Sequence, residues 1–474
     1  MTNLADVLLA PAARTPDATA LRAGPDAVTY RELEERAAHV AGALRSEGVE
    51  PGDRVAIQGD NTIAFVASYL GALRIGAVAV PLNPQAPDAE LARELESAEP
   101  SVVLRPPLDG TAGDAEPAAR VARDAADTAV LLFTAGTAGA PKAAMLTHGN
   151  LVSNIRQVLD HPGLALTADD VSLGVLPLFH VFGLNAVLGI GLAAGASTVL
   201  IDHFQPAEAL RAVAEQRVTV LAGVPAMYHA FLDLDDATAP PDALASLRLA
   251  VSGAAPLDEE LFEGMRKRFD VVVYEGYGLT EASPIVTTSA IGRGDPAPGS
   301  IGPPLPGVDV RLVDAEDGDV LPGDPGEIWV RGPNVFPGYW RDPDATATAL
   351  TDDGWLRTGD VAVADDAGEL SLVDRAKDLV IVSGFNVYPA EVEEVLLEHP
   401  DVAEAAVVGE PDPRTGETIV AFVVPEPGRR APTDELLAQC ARSLARYKCP
   451  TRVEVVEALP RSFAGKVLRR ELPR

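Results

Sequence analysis

The sequence predicts an α/β fold: a large N-terminal domain of βαβ units, a small β-barrel-like subdomain after it, and an α+β C-terminal domain. Three observations lead there. From residue 55 to about residue 275, short runs rich in β-branched residues alternate with Ala- and Leu-rich helical segments, the pattern of parallel sheets joined by crossover helices. Between about 299 and 374, Gly and Pro become frequent and helical periodicity fades, as in a small antiparallel sheet or barrel. After Asp374, helical stretches near 390–398 and 434–447 bracket strand-like runs near 405–408 and 419–424.

Within the first region the expected strands lie at 55–57, 78–82, 128–133, 197–201, 218–222 and 247–251, with helices at 63–75 and 206–216. In the second, 308–313 and 326–330 read as strands, and the Pro-, Gly- and Asp-rich stretch 106–117 reads as a surface loop. The run 171–201 contains no Asp, Glu, Lys or Arg, yet Pro177, His180, Asn185 and five glycines interrupt it. It therefore reads as buried strand, loop and helix rather than as a membrane span, which needs roughly 20 mostly apolar residues. At 474 residues the chain is too long for one core.

Charge narrows the function classes. There are 38 basic and 70 acidic residues, a formal charge of −32. Nucleic acid is thereby disfavoured as a partner, since phosphate neutralisation needs Lys and Arg. An anionic membrane surface repels the chain as a whole. Two cysteines, Cys440 and Cys449, exclude a disulfide framework and a Cys-rich metal site. With no basic, apolar leader at the N-terminus, the expected location is cytoplasmic. Transient membrane contact and a homodimer are left open.

Lysine is avoided. Of the 38 basic residues five are Lys: Lys142, Lys267, Lys377, Lys448 and Lys466. Where Arg serves, this sequence uses Arg, so a surviving Lys points to a need for a compact ammonium on a flexible stem. Lys267 sits in a charged helical run and reads as solvated; the other four fall in or beside the motifs below.

The most informative segment is Leu-Leu-Phe-Thr-Ala-Gly-Thr-Ala-Gly-Ala-Pro-Lys at 131–142. A β run feeds a loop carrying Thr134, Gly136, Thr137 and Gly139 and closing on Lys142. Glycines let backbone N–H groups approach phosphate oxygens, hydroxyls add donors, and Lys supplies a point charge. It is not a Walker A loop, because Pro precedes the Lys and no Ser or Thr follows it. Farther on come Leu-Pro-Leu-Phe-His at 176–180, Gly-Val-Pro-Ala-Met-Tyr at 223–228, Ser-Gly-Ala-Ala-Pro at 252–256 and Tyr-Glu-Gly-Tyr-Gly-Leu-Thr-Glu at 274–281. Then follow Gly-Glu-Ile-Trp-Val-Arg-Gly at 326–332, Trp-Leu-Arg-Thr-Gly-Asp at 355–360, Asp-Arg-Ala-Lys-Asp at 374–378, Ser-Gly-Phe-Asn-Val-Tyr-Pro-Ala-Glu-Val-Glu at 383–393 and Leu-Pro-Arg-Ser-Phe-Ala-Gly-Lys at 459–466.

In this order, and over nearly the whole chain, these blocks resemble those of the adenylate-forming superfamily of acyl-CoA synthetases, luciferases and peptide-synthetase adenylation domains. The resemblance implies an N-terminal domain over 1–376, its β-rich part at about 299–376, and a mobile C-terminal lid over 377–474 hinged near Lys377. It implies ATP, Mg²⁺ and coenzyme A as cofactors and small molecules as partners. Residue by residue, it places Thr134, Gly136, Thr137, Gly139, Lys142, Ala254, Glu275, Gly276, Tyr277, Thr280, Asp360 and Arg375 around ATP. Tyr277 is expected to face the adenine, Thr280 the α-phosphate and Asp360 both ribose hydroxyls; a carboxylate can accept both. Glu281 is expected to serve Mg²⁺, which prefers carboxylate and phosphate oxygens. Lys466 is expected to stabilise the charge that builds as a carboxylate attacks the α-phosphate.

The family match also places His180, Val181, Phe182, Val224, Gly253, Gly278, Ser383, Gly384 and Phe385 around the acyl group and the pantetheine arm. The catalytic set is then Lys466, Thr280, Glu281 and His180. Standing alone, a histidine in an apolar block is more often a packed core residue, and an isolated Asp360, Arg375 or Lys466 a surface charge; the ten blocks together carry the assignment.

The 176–183 block holds no carboxylate to pair a substrate amine, which counts against amino acids, and no obvious unpaired cation suits a diacid. Val181, Phe182, Leu184, Val224, Ala226, Ala254, Ala255 and Ile285 suggest an apolar acyl chain. The segments at 382–389 and 144–148 look most like bacterial medium- to long-chain fatty acyl-CoA synthetases. The expected function is ATP-dependent joining of a fatty acid to coenzyme A. The alternatives are an arylacid (coumarate-like) ligase, an acyl-AMP ligase serving a carrier protein, and a silent paralogue. Ala135 and Ala138 stand where the family usually has hydroxyls, Ala143 where it has Gly, and Ala464 where it has a small hydroxyl residue. Two missing hydroxyls, each worth roughly 1.5–3 kcal/mol against a charged group, lead to an expected rise in the KM for ATP.

Overall fold

The computed structural model describes residues 3–105, 107–110, 115–134, 142–161, 163–291, 296–314, 316–366, 368–375, 380–460, 469 and 472. It comprises two compact units, one of Met1–Pro84, Ala98–Leu132 and Ala143–Asp374, the other of Gln85–Ser97, Phe133–Lys142 and Arg375–Arg474.

The first unit is built on βαβ connections. An eight-stranded sheet runs Ile285–Thr288, Val273–Gly278, Leu249–Ser252, Val220–Gly223, Val171–Gly174, Ser197–Leu200, Thr19–Ala23, Asp26–Thr29. Its inner pairs are parallel and its two outer pairs antiparallel. A second sheet orders Val102–Leu104, Arg54–Gln58, Val78–Leu82, Thr128–Thr134, Lys142–Thr147. The crossover helix Ile63–Arg74 is capped by Thr62, whose hydroxyl accepts from Phe65 N–H, and is apolar almost all round. It is accordingly buried along nearly its whole length, as helices of an α/β interior are. The amphipathic helix Tyr30–Ser46 starts on a Thr29–Glu32 capping box and packs its Leu33, Ala37, Val40 and Leu44 face into the same core.

The β-rich part is a five-stranded antiparallel sheet: Ser300–Gly302, Leu370–Arg375, Leu356–Ala364, Gly326–Arg331, Asp309–Val313. The run 171–201 is a strand, a turn, a π-helix over Phe182–Gly189, a short α-helix over Ile190–Ala194 and a strand. No helix among the described residues is long and apolar enough to cross a membrane. The segment expected as a plain surface loop is pinned at Leu108, whose N–H donates to Ser68 Oγ at 2.8 Å. It is also held at Gly110, where a Cβ would stand 2.3 Å from the Arg36 carbonyl.

The second unit centres on the sheet Phe385–Val387, Val380–Val382, Gly416–Pro425, Val402–Asp412, with Arg452–Val455 parallel to Gly416–Pro425. Helices Pro389–Leu397 and Thr433–Ser443 belong to it. The second helix stops four residues short of the expected end, because Leu444 turns extended and a 3₁₀ turn, Arg446–Lys448, follows. Helix Asp88–Ala98, which joins two strands of the first unit in sequence, groups with this second unit up to Ser97. The expected α/β fold, with a large N-terminal and a small C-terminal part, is the fold observed.

Candidate active site

Ligands of open α/β sheets collect at the carboxyl ends of parallel strands. In the eight-stranded sheet three such ends lie in register: Gly223 pairs with Ser252, and Ser252 with Glu275. Three blocks distant in sequence thereby become neighbours. Val224, Gly253–Ala254 and Gly276–Gly278 continue from those ends.

Backbone geometry explains several small residues there. Ala254 has φ +67, a left-handed conformation disfavoured for residues with a side chain. A Cβ on Gly278 would sit 2.2 Å from the Pro284 carbonyl, so only glycine fits. Gly276 differs, since a Cβ there would find ordinary contacts of 3.6 Å or more. Gly253 faces the Phe182 ring, whose Cε1 lies 3.1 Å from where a Cβ would be. Phe182 opens the π-helix, a feature frequent at functional sites, directly after His180 and Val181. The His180 ring is tilted against Phe179 at 4.7 Å between centroids. Val181 and Val224 are buried.

Tyr277 and Asp360 meet. The Tyr277 hydroxyl donates to Asp360 Oδ2 at 2.7 Å, leaving Oδ1 of that carboxylate for a further donor. Asp360 is set by its own turn: its N–H donates to Thr358 Oγ1 at 3.1 Å, and the N–H of Gly359, at φ +75, donates to Glu327 Oε1 at 2.8 Å. Thr280 and Glu281 occupy a 3₁₀ turn, Thr280–Ala282, beyond the strand Val273–Gly278. Glu281 Oε1 accepts from the Tyr339 hydroxyl at 2.6 Å; Tyr339 lies in none of the blocks singled out from the sequence. Its only signal there is the short Pro-Gly-Tyr-Trp phrase after the 326–332 block.

Glu275 points inward. It is 4% exposed; its Oε1 accepts from Leu257 N–H at 3.2 Å, and its Oε2 is buried without a hydrogen-bond partner among the described residues. Burial pushes its carboxyl up to about 7. Its side chain supports the loop that follows Ser252, and its backbone is bonded on both sides: N–H to Ser289 Oγ at 2.8 Å, carbonyl from Thr288 Oγ1 at 3.1 Å.

In the second unit, Thr134 Oγ1 donates to the Lys142 carbonyl at 3.4 Å, joining the two described ends of the segment expected to bind phosphate. Ser383 and Gly384 have φ +53 and +82 and link the strands Val380–Val382 and Phe385–Val387, as a two-residue primed hairpin turn requires. The Phe385 ring stacks on Tyr447, 4.3 Å between centroids. Gly136, Thr137, Gly139, Lys377 and Lys466, together with Ala135, Ala138 and Ala464, lie outside the described residues, as does the side chain of Arg375. Ala143 is buried, and its carbonyl accepts from Trp340 N–H at 2.8 Å.

Among the described residues, no group of three His, Cys, Asp or Glu side chains could hold an ion. Glu281 by itself fits Mg²⁺, which is commonly bound through one or two carboxylates with the remaining oxygens from substrate phosphates and water.

The model of the AMP-binding enzyme family matches residues 8–340, and that of the AMP-binding enzyme C-terminal domain matches residues 391–466. A feruloyl-CoA synthase of an Amycolatopsis species is 41% identical over 97% of this chain and 96% of its own. A long-chain fatty acid–CoA ligase of Bacillus subtilis is 34% identical over 99% and 94%. Among solved structures, the o-succinylbenzoate CoA synthetase of Bacillus subtilis, bound with a product analogue, superposes with a TM-score of 0.91 at 30% identity, covering 100% of this chain and 98% of its own.

Proposed function

Because the chain belongs to the AMP-binding enzyme family, we propose that it is an AMP-forming acid–CoA ligase. It joins an acid to ATP as acyl-AMP with release of pyrophosphate, then passes the acyl group to the thiol of coenzyme A with release of AMP. The observation that carries this reading is the pairing of Tyr277 with Asp360 at the carboxyl edge of the sheet, on the strand that leads into Thr280 and Glu281. That arrangement offers a ring for a base and a carboxylate oxygen for ribose. Thr280 donates to the α-phosphate, and Glu281 would hold Mg²⁺, which would screen phosphate charge. Lys466 stabilises the charge formed in adenylation. His180, Val181, Phe182, Val224 and Gly253 line the acyl end. A boundary near Lys377 divides residues 1–376 from a C-terminal part that brings Lys466 and then Ser383–Phe385 into play.

For the acid, an arylacid of the hydroxycinnamate class comes first, supported by the feruloyl-CoA synthase likeness and by a Phe182 ring that can stack on a planar acid. A medium- to long-chain fatty acid is the second reading, favoured by the long-chain ligase likeness and the apolar residues at 181, 182 and 224.

The test follows pyrophosphate and AMP with ATP, Mg²⁺ and a panel of hydroxycinnamates and C8–C18 fatty acids, with and without CoA. The expected outcome is CoA-dependent AMP release with ferulate or coumarate. Turnover of fatty acids alone selects the second reading. Acid-dependent pyrophosphate without CoA-dependent turnover points to an acyl-AMP ligase, and silence with every acid refutes the ligase reading.

A further inference from the structure

We propose that Tyr339 is a positioning residue for the metal–nucleotide site, holding the Glu281 carboxylate through its hydroxyl while the residues flanking it tie the Glu281 turn to the strand Lys142–Thr147. This inference rests on the ligase reading above.

Residues 334–340 form a clip with two sides. On one side, Phe336 N–H donates to the Glu281 carbonyl at 2.8 Å, and Asn334 Nδ2 donates to the Ala282 carbonyl at 2.8 Å. On the other, Trp340 N–H donates to the Ala143 carbonyl at 2.8 Å, Met145 N–H donates to the Gly338 carbonyl at 3.0 Å, and Tyr339 forms a β-bridge with Ala144. The helix after that strand is tied in as well: Asn150 Nδ2 donates to the carbonyls of Pro333 and Val335 at 2.9 and 2.8 Å. The turn bearing Glu281 and residues 143–150 are thus referenced to one short segment.

Tyr339 lies within this clip, and its own position is over-determined. Its N–H donates to Thr346 Oγ1 at 2.9 Å, and its ring meets Phe336 edge-on at 4.9 Å. Gly338 beside it has φ +141 and leaves no room for a Cβ, which would stand 2.5 Å from Thr346 Cγ2. The hydroxyl therefore arrives at Glu281 from a rigid base. A phenol donating to a carboxylate makes a charge-assisted hydrogen bond, among the stronger kinds. It fixes the rotamer of a side chain that otherwise loses conformational entropy on binding a ligand, and it leaves Glu281 Oε2 for an ion.

The experiment measures Mn²⁺ binding by electron paramagnetic resonance of the free ion, with and without ATP, in the full-length protein, Tyr339→Phe, Glu281→Gln and the double variant. Tyr339→Phe is expected to weaken ATP-dependent Mn²⁺ binding about tenfold, what a hydrogen bond to a charged group is worth. Metal-independent ATP binding should stay within about twofold, on the premise that the hydroxyl acts through Glu281. In the Glu281→Gln background the same substitution should have little effect. Unchanged Mn²⁺ affinity in Tyr339→Phe, or losses that simply add in the double variant, overturns the role of Tyr339. A wild-type protein that takes up no Mn²⁺ with ATP overturns the ligase reading itself.

Discussion

At the scale of single residues, Tyr277 and Asp360 carry the most direct energetic consequence. The tyrosine hydroxyl already fills one site on Asp360, at 2.7 Å, so the carboxylate is oriented in advance of the ribose that the proposed site would bind. Removing that hydroxyl in Tyr277→Phe leaves the ring but frees the carboxylate to rotate. The expected result is a rise of about tenfold in the KM for ATP with a smaller change in kcat, from the loss of a hydrogen bond to a charged group; steady-state kinetics at saturating acid and CoA measure it. Both partners were legible in the sequence through their motifs, 83 positions apart. Their mutual bond was not, because nothing in either motif specifies which distant side chain it will meet. The same holds for Tyr339 and Glu281: the carboxylate announces itself in its block, whereas the phenol lies in a phrase with no chemistry of its own until folding delivers it. Glu275 illustrates the reverse. It sits inside the 274–281 block expected to face the nucleotide, and its side chain turns inward to hold Leu257 N–H.

At the scale of elements, helix Asp88–Ala98 and the C-terminal turn Arg446–Lys448 explain a lysine that composition alone flagged. Lys448 Nζ lies 2.5 Å from Glu90 Oε1 and 2.8 Å from Glu391 Oε1, all three buried. Glu90 Oε2 also accepts from Ala445 N–H at 2.7 Å. Burial opposes the charge on Lys448, but Tyr447, Glu391 and Glu90 hold its ammonium above its ordinary range. Glu94 is the third acid of the cluster. Burial first, and then the charges of Glu90 and Glu391, push it up to about 8 against the pull of Lys448. Its folded form therefore keeps a proton that the unfolded chain releases near the ordinary carboxyl value of 4.5, so stability falls as pH rises between those values and levels off above about 8. Glu94→Gln should remove that decline. The variant is expected to melt higher than the parent at pH 9 and much closer to it at pH 5, a contrast that scanning calorimetry across pH reads directly. Lys448→Met, by contrast, leaves buried carboxylates without their cation and should cost about 3–5 kcal/mol.

At the scale of the whole molecule, two compact units hold four sheets among the described residues. The sequence by itself determined the α/β class, the order of the ten blocks, the strand and helix positions to within a few residues, and the formal charge of −32. Those are properties of local pattern: periods near 2 and 3.6, turn residues, and charge count. The tertiary structure alone decided which blocks share one edge, as Gly223, Ser252 and Glu275 do through sheet register. It alone revealed that Asp88–Ala98 groups with the C-terminal elements up to Ser97 although the chain threads it between strands of the other unit. It likewise showed that the glycine at 384 serves a positive-φ hairpin turn. Hydrophobic patterning states which face of an element is buried but not against what. The pairing of side chains tens to hundreds of residues apart is settled only when packing has brought their backbones into register.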